Sequence, residues 1–297
     1  YYPDDIMNTY DFSNESRSRT FTVTSEDGEW HSTYTVKIIP TEVPGSFHFE
    51  ELLPSNNTEY DILYEFEPGT STSVSRVLQW SRPGFKLTSM ADGRTGYPTQ
   101  QITDGYRGKG LKLTTCDTGS FGAMVKMYIA AGNLFIGSFD LANALKDPLR
   151  ATKFGIQYYR RPVSLKGYYK FKAGEVYTDE GIVQKDKKDR FDIYAILYEA
   201  DDNTFMLDGG NSLDLTSGKL VSIARIKEAD AKETDTWTAF DLPFEAVNGK
   251  SIDTGKLQNG KYKLSIVLSS SVDGAYFKGS VGSTLYVDEL ELISQDN

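Results

Sequence analysis

A succession of short alternating segments, each closed by turn residues, constrains this chain more than any other feature. The clearest are ILYEFE (62–67), VLQWS (77–81), FKLTSM (85–90), GLKLTTC (110–116), AMVKMYIAAG (123–132), VSLKGYYKFK (163–172), RFDIYAILYEA (190–200), WTAFDLPFE (237–245), YKLSIVLSSS (262–271) and STLYVDELELIS (283–294). Successive side chains on a strand point to opposite faces, so a period of two marks a half-buried strand. Many such runs separated by Gly, Asn and Asp lead to a β-sandwich or a barrel. Aromatics make up 13% of the chain, mostly 19 Tyr and 16 Phe, and these residues suit a pleated surface. Only short helices are expected, at LANALKDPL (141–149), capped by Pro148, and at the acidic stretch KEADAKET (227–234).

The first strand pair stands apart. FTVTSEDGEWHSTYTVKII (21–39) reads as a complete hairpin turning on Asp27-Gly28. Pro40 and Pro44-Gly45 follow, and proline cannot donate to a ladder, so they punctuate a boundary. Two units are expected, 1–45 and 46–297.

Composition removes several kinds of chemistry. The net charge is −10 and no Lys/Arg cluster forms a basic face, which argues against a nucleic-acid partner. Cys116 is the single cysteine, so there is no internal disulfide and no cysteine-based zinc site; it is expected as a small buried side chain. His31 and His48 are the two histidines, too few for a His-rich metal site. No run approaches the 18 or so apolar residues that a membrane helix needs.

The faces of the strands supply the site candidates. In YKLSIVLSSS, Tyr262, Leu264, Ile266 and Leu268 share one face, with Lys263, Ser265 and Ser269 expected on a wet one. RFDIYAILYEA is apolar on both faces, which fits either a covered central strand or an aromatic platform. In WTAFDLPFE, Phe240, Leu242 and Phe244 share a face, leaving Trp237 opposite the core. In VSLKGYYKFK, Tyr168 falls among Ser164, Lys166 and Lys170. Flat aromatics stack on the apolar C–H faces of sugar rings, so Trp237, Tyr168 and Trp80 are the candidate sugar-binding residues. TLYVDELELI changes phase: Leu285 and Val287 have one parity, Leu290 and Leu292 the other. A bulge near Asp288-Glu289 reconciles them, because one extra residue flips the side-chain phase. The loop 90–110 is long enough to carry binding.

Several motifs occur in order that resemble one bacterial family. They are IAAGNLFIGSF, the DPL and ATKFG run, RPVSLKGYYKFKAGE, WTAFDLPF and the closing LYVDELEL. Over residues 47–297 the chain resembles the putative carbohydrate metabolism domain. The resemblance implies a jelly-roll-like β-sandwich similar to carbohydrate-binding modules, on a secreted or outer-membrane surface lipoprotein of a Gram-negative bacterium, held to the membrane only through a removed lipid anchor. By analogy with such modules, whose last strand supplies an Asp to calcium, a structural Ca²⁺ is expected at Asp288, with Glu50 and Glu51 as partners. The opening hairpin resembles the last two strands of a bacterial immunoglobulin-like module, here a partial one acting as a stalk. The expected function is non-catalytic glycan binding by a monomer at the cell surface. The alternatives are a glycoside hydrolase, which needs two carboxylates about 5–10 Å apart, and a structural or adhesin component.

Overall fold

The computed structural model describes residues 18–37, 43–52, 63–66, 77–79, 98–140, 146–200, 205–212 and 215–295. Trp80 and the strand expected at 85–90 lie outside them. The chain divides into two units, Tyr1–Thr41 and Glu42–Asn297.

In the first unit, β1 (Ser18–Thr24) and β2 (His31–Lys37) form an antiparallel hairpin from Ser18↔Lys37 to Thr24↔His31. Its turn closes on local chemistry: Asp27 Oδ1 accepts from Ser25 Oγ at 2.5 Å and from the Glu29 N–H at 3.0 Å, and Gly28 takes φ +76°. Positive φ is what glycine supplies most cheaply.

The second unit is an all-β antiparallel sandwich. Its strands include β3 (Ser46–Phe47), β4 (Thr99–Ile102), β5 (Gly110–Thr114), β6 (Asn133–Phe135), β7 (Ile156–Gln157) and β8 (Arg161–Lys172). Further along lie β9 (Asp192–Glu199), β10 (Leu220–Arg225), β11 (Thr234–Pro243), β12 (Glu245–Ala246), β13 (Tyr262–Ser269) and β14 (Thr284–Gln295). The front sheet runs β11-β8-β14-β5-β4, with β3 also on β14; the back sheet runs β6-β13-β9-β10-β12, with β7 also on β13. Their facing sides make one core: Leu165, Tyr169, Phe171, Leu285, Val287, Leu111 and Leu113 from the front meet Ile193, Ala195, Leu197, Leu264, Ile266 and Leu268 from the back.

The phase change in the last strand is a bulge. Lys166 pairs with Glu291, but Tyr168 pairs with Asp288, so β14 uses one residue more than β8 between them. Glu289 sits there at φ +49°, a left-handed conformation that non-glycine residues adopt at a cost of order 1 kcal/mol. Leu285, Val287, Leu290 and Leu292 thereby all reach the core.

The back sheet corrects the expectation of a wet face on YKLSIVLSSS. Lys263 and Ser265 are buried. A second apolar layer covers this side: Phe135, Phe154, Tyr194, Ile196, Tyr198, Leu207 and Val267 pack together. The polar atoms remain satisfied, with Ser265 Oγ donating to the Ile136 carbonyl at 2.7 Å and Lys263 Nζ to the Phe205 carbonyl at 2.8 Å. The same layer explains β9, whose two apolar faces are a covered central strand and not a platform. Three smaller expectations also change. KEADAKET is a turn held by the Lys227 carbonyl, not a helix. Pro148 opens the short helix Pro148–Ala151, where its missing N–H costs nothing in a first turn; residues 141–145 of the expected helix lie outside the described residues. Cys116 is half-buried, its Sγ 3.5 Å from the Thr114 carbonyl oxygen.

Candidate functional site: an aromatic face on the front sheet

Alternation places the outward residues of the front sheet in rows across its strands. One row joins Tyr168 to Ala239 and to Asp288; the next joins Lys170 to Tyr286 and Tyr286 to Lys112. Trp237 lies beside the second row, with Lys170 Nζ 4.6 Å from its ring centroid and 5.0 Å from that of Tyr286. The turn 103–109 between β4 and β5 brings Tyr106 onto this face. Tyr106 stacks on Tyr168 with centroids 3.7 Å apart and planes 11° off parallel, and meets Trp237 edge-on at 6.3 Å. A groove of about 700 Å³ runs alongside, lined in part by Thr103, Asp104, Lys170, Asp235, Thr284 and Tyr286.

Tyr168 and Trp237, singled out from sequence, therefore come together, both half-buried. Phe240 is half-buried too, but it packs against the core. Tyr106 and Tyr286 were not singled out. Tyr286 was findable, since its parity is opposite to that of Leu285 and Val287. Tyr106 carried no such signal, because a turn has no periodicity.

Asp288 and Glu50, the expected calcium pair, both hold the Tyr106 turn. Asp288 Oδ2 accepts the Arg107 N–H at 2.8 Å and its Oδ1 accepts the Glu289 N–H at 2.8 Å. Glu50 Oε1 accepts the Lys109 N–H at 2.9 Å, and Lys109 Nζ returns a bond to the Glu50 carbonyl at 2.9 Å. Asp288 is fully buried. Burial pushes its carboxyl up to about 6, with the Glu289 carboxylate adding to the rise and the backbone N–H groups opposing it. Glu289 itself meets His48 Nδ1 at 3.0 Å and Arg107 Nη1 at 3.7 Å. Among the described residues, no group of three or more His, Cys, Asp or Glu side chains is arranged to hold a metal ion.

The fold and this face define an antiparallel β-sandwich with an aromatic surface on one sheet. Residues 48–293 match the family described as the putative carbohydrate metabolism domain, and the chain belongs to that family. A solved structure from Bacteroides thetaiotaomicron, described as a putative glycoside hydrolase, is 44% identical with a TM-score of 0.79, covering 97% of this chain and 81% of that one. A second, from Bacteroides vulgatus and described in the same words, is 42% identical with a TM-score of 0.76, covering 86% of this chain and 100% of that one. Among curated proteins, none matches.

Proposed function

We propose that this chain binds a glycan without cleaving it, on the outer face of the front sheet, as a protein of the bacterial cell surface. The observation that carries the reading is the cluster of Tyr106, Tyr168 and Trp237, joined through Lys170 to Tyr286, which lines the groove. Such rings offer flat apolar surface to a pyranose, and Thr103, Thr284 and Asp104 stand at the groove for its hydroxyls. Trp237→Ala and Tyr106→Ala are each expected to weaken binding by about 1–3 kcal/mol, by analogy with a nucleic-acid base stacked on an aromatic side chain. Both variants should keep the melting temperature of the parent. The check is a glycan-array screen followed by calorimetry on the hits. A large stability loss with unchanged affinity would make these rings packing residues and end the proposal.

Hydrolysis is the second reading, favoured by the description of the two Bacteroides relatives. Asp288 has the elevated carboxyl of a general acid, but it is fully buried and both its oxygens accept backbone N–H groups. A proton donor must reach the leaving oxygen, so Asp288 would serve only after the turn 103–109 moved. Release of reducing ends from the bound polysaccharide, abolished in Asp288→Asn, would favour this reading over simple binding.

A further inference from the structure

The aromatic face carries two lysines, Lys112 and Lys170, that form no ion pair among the described residues. Lys112, Tyr286 and Lys170 are direct cross-strand neighbours on three adjacent strands, which places their Cβ atoms about 5 Å apart in sequence across the sheet. All three side chains are half-buried and point away from the core, since Leu111, Leu113, Leu285, Val287, Tyr169 and Phe171 take the inward positions. Gln100 continues the row beyond Lys112, and Trp237 continues it beyond Lys170. Two other cations of this face are paired: Lys166 meets Asp241 at 3.0 Å and Arg107 meets Glu289 at 3.7 Å. Among the described residues neither Lys112 nor Lys170 has an ion-pair partner. Lys170 instead rests between two ring faces, an arrangement that orients an ammonium group without neutralising it.

In a chain of net charge −10, two cations without ion-pair partners on either side of one half-buried outward ring are a specific feature. A tyrosine between two ammonium groups matches a pyranose that carries a carboxylate: the sugar takes the Tyr286 face on which Lys170 rests in the free chain, and Lys170 swings aside to give its carboxylate a charge-assisted hydrogen bond. Asp104 and Asp235 line the same groove as Lys170 and Lys172, so charges of both signs stand along it. That pattern suits sugars with one carboxylate each and opposes a densely sulfated chain.

We infer that the glycan recognised on this face is a uronate-containing polysaccharide, with Tyr286 stacking on a uronic acid ring and Lys112 and Lys170 holding its carboxylate. The inference rests on the glycan-binding reading and names its substrate class. The probes are oligogalacturonate, oligomannuronate, the methyl ester of the first, and dextran sulfate, each titrated calorimetrically against the full chain. One of the two uronates should bind. Methyl esterification, Lys112→Gln or Lys170→Gln should each weaken that binding on the order of tenfold, the worth of one charge-assisted contact. Lys170→Arg should retain most of it. Raising the salt should weaken the parent more than the Lys→Gln variants. Melting temperatures should stay level, since these side chains face outward. Neutral glycans bound by the parent and by both Lys→Gln variants equally, with no uronate bound, would overturn the substrate class and leave glycan binding standing. Dextran sulfate bound with neither uronate would overturn it as well. No glycan of any kind bound would remove the underlying reading and this inference together.

Discussion

Gly108 has φ +58°, and a Cβ placed there would come within 2.2 Å of Glu50 Oε1; one on Gly105 would come within 2.7 Å of Asp288 Oδ2. The two glycines let backbone N–H groups approach the carboxylates closely enough to be held. Gly108→Ala is therefore expected to cost more than about 1 kcal/mol, since it adds left-handed strain and a clash. It should also weaken glycan binding by loosening Tyr106, which a melt and a titration on one preparation would measure. Asp288 gives a pH dependence of definite sign. Its carboxyl rises from 3.8 to about 6 in the fold, so the folded chain takes up its proton more readily than the unfolded one. Protonation then favours the fold between about pH 6 and pH 4, and the benefit is lost as pH rises through about 6. The stability of the parent relative to Asp288→Asn should grow as pH falls across that window, by up to about 3 kcal/mol. A difference that stays flat in denaturant titrations would contradict the assignment. At this scale the bulge was legible, because a change of parity within one strand is visible in the letters TLYVDELELI. What Asp288 holds was not, because Arg107 lies 181 residues away in the chain.

Strand β3 shows how far element boundaries follow from punctuation. Pro40 and Pro44-Gly45 mark a break, yet Val43 is buried in the main core, and the Gly45 carbonyl accepts the Leu292 N–H at 2.9 Å. A chain starting at Glu42 should therefore be more stable than one starting at Phe47, by about 1.5–3 kcal/mol for Val43 alone. Comparing the two truncations by urea unfolding checks this, and equal midpoints would place Val43 outside the core. Strand β13 marks the opposite limit. Its alternation of Leu and Ile with Lys and Ser predicted one dry side and one wet one. Periodicity reports which side chains are apolar; it does not report a second layer that supplies carbonyls to Ser265 and Lys263. Strand β9 was the clue, since a strand apolar on both faces needs cover on both.

For the whole molecule, the sandwich class was legible because many short alternating runs have few other ways to bury their faces. Calcium at Asp288 and Glu50 stands as a separate proposal. The ion wants six to eight oxygens, and three of this pair's carboxylate oxygens already accept backbone N–H groups. An ion would have to displace those N–H groups, and a site occupied at a hundred times its dissociation constant would add about 2.7 kcal/mol. A clear drop in melting temperature with EDTA would establish the metal, and an unchanged one would end the proposal. The second apolar layer has a consequence of another kind. It covers the back sheet's outward rings, Phe135, Tyr194 and Tyr198, with Phe154 and Leu207, leaving the front sheet as the one to meet a long polymer. For a glycan held there, each copy of the chain is univalent. It should decorate a polysaccharide without crosslinking it, retarding in an affinity gel but leaving a solution of the polymer clear. Avidity would come only from displaying many copies side by side on one surface, where the effective concentration of neighbours replaces a second site.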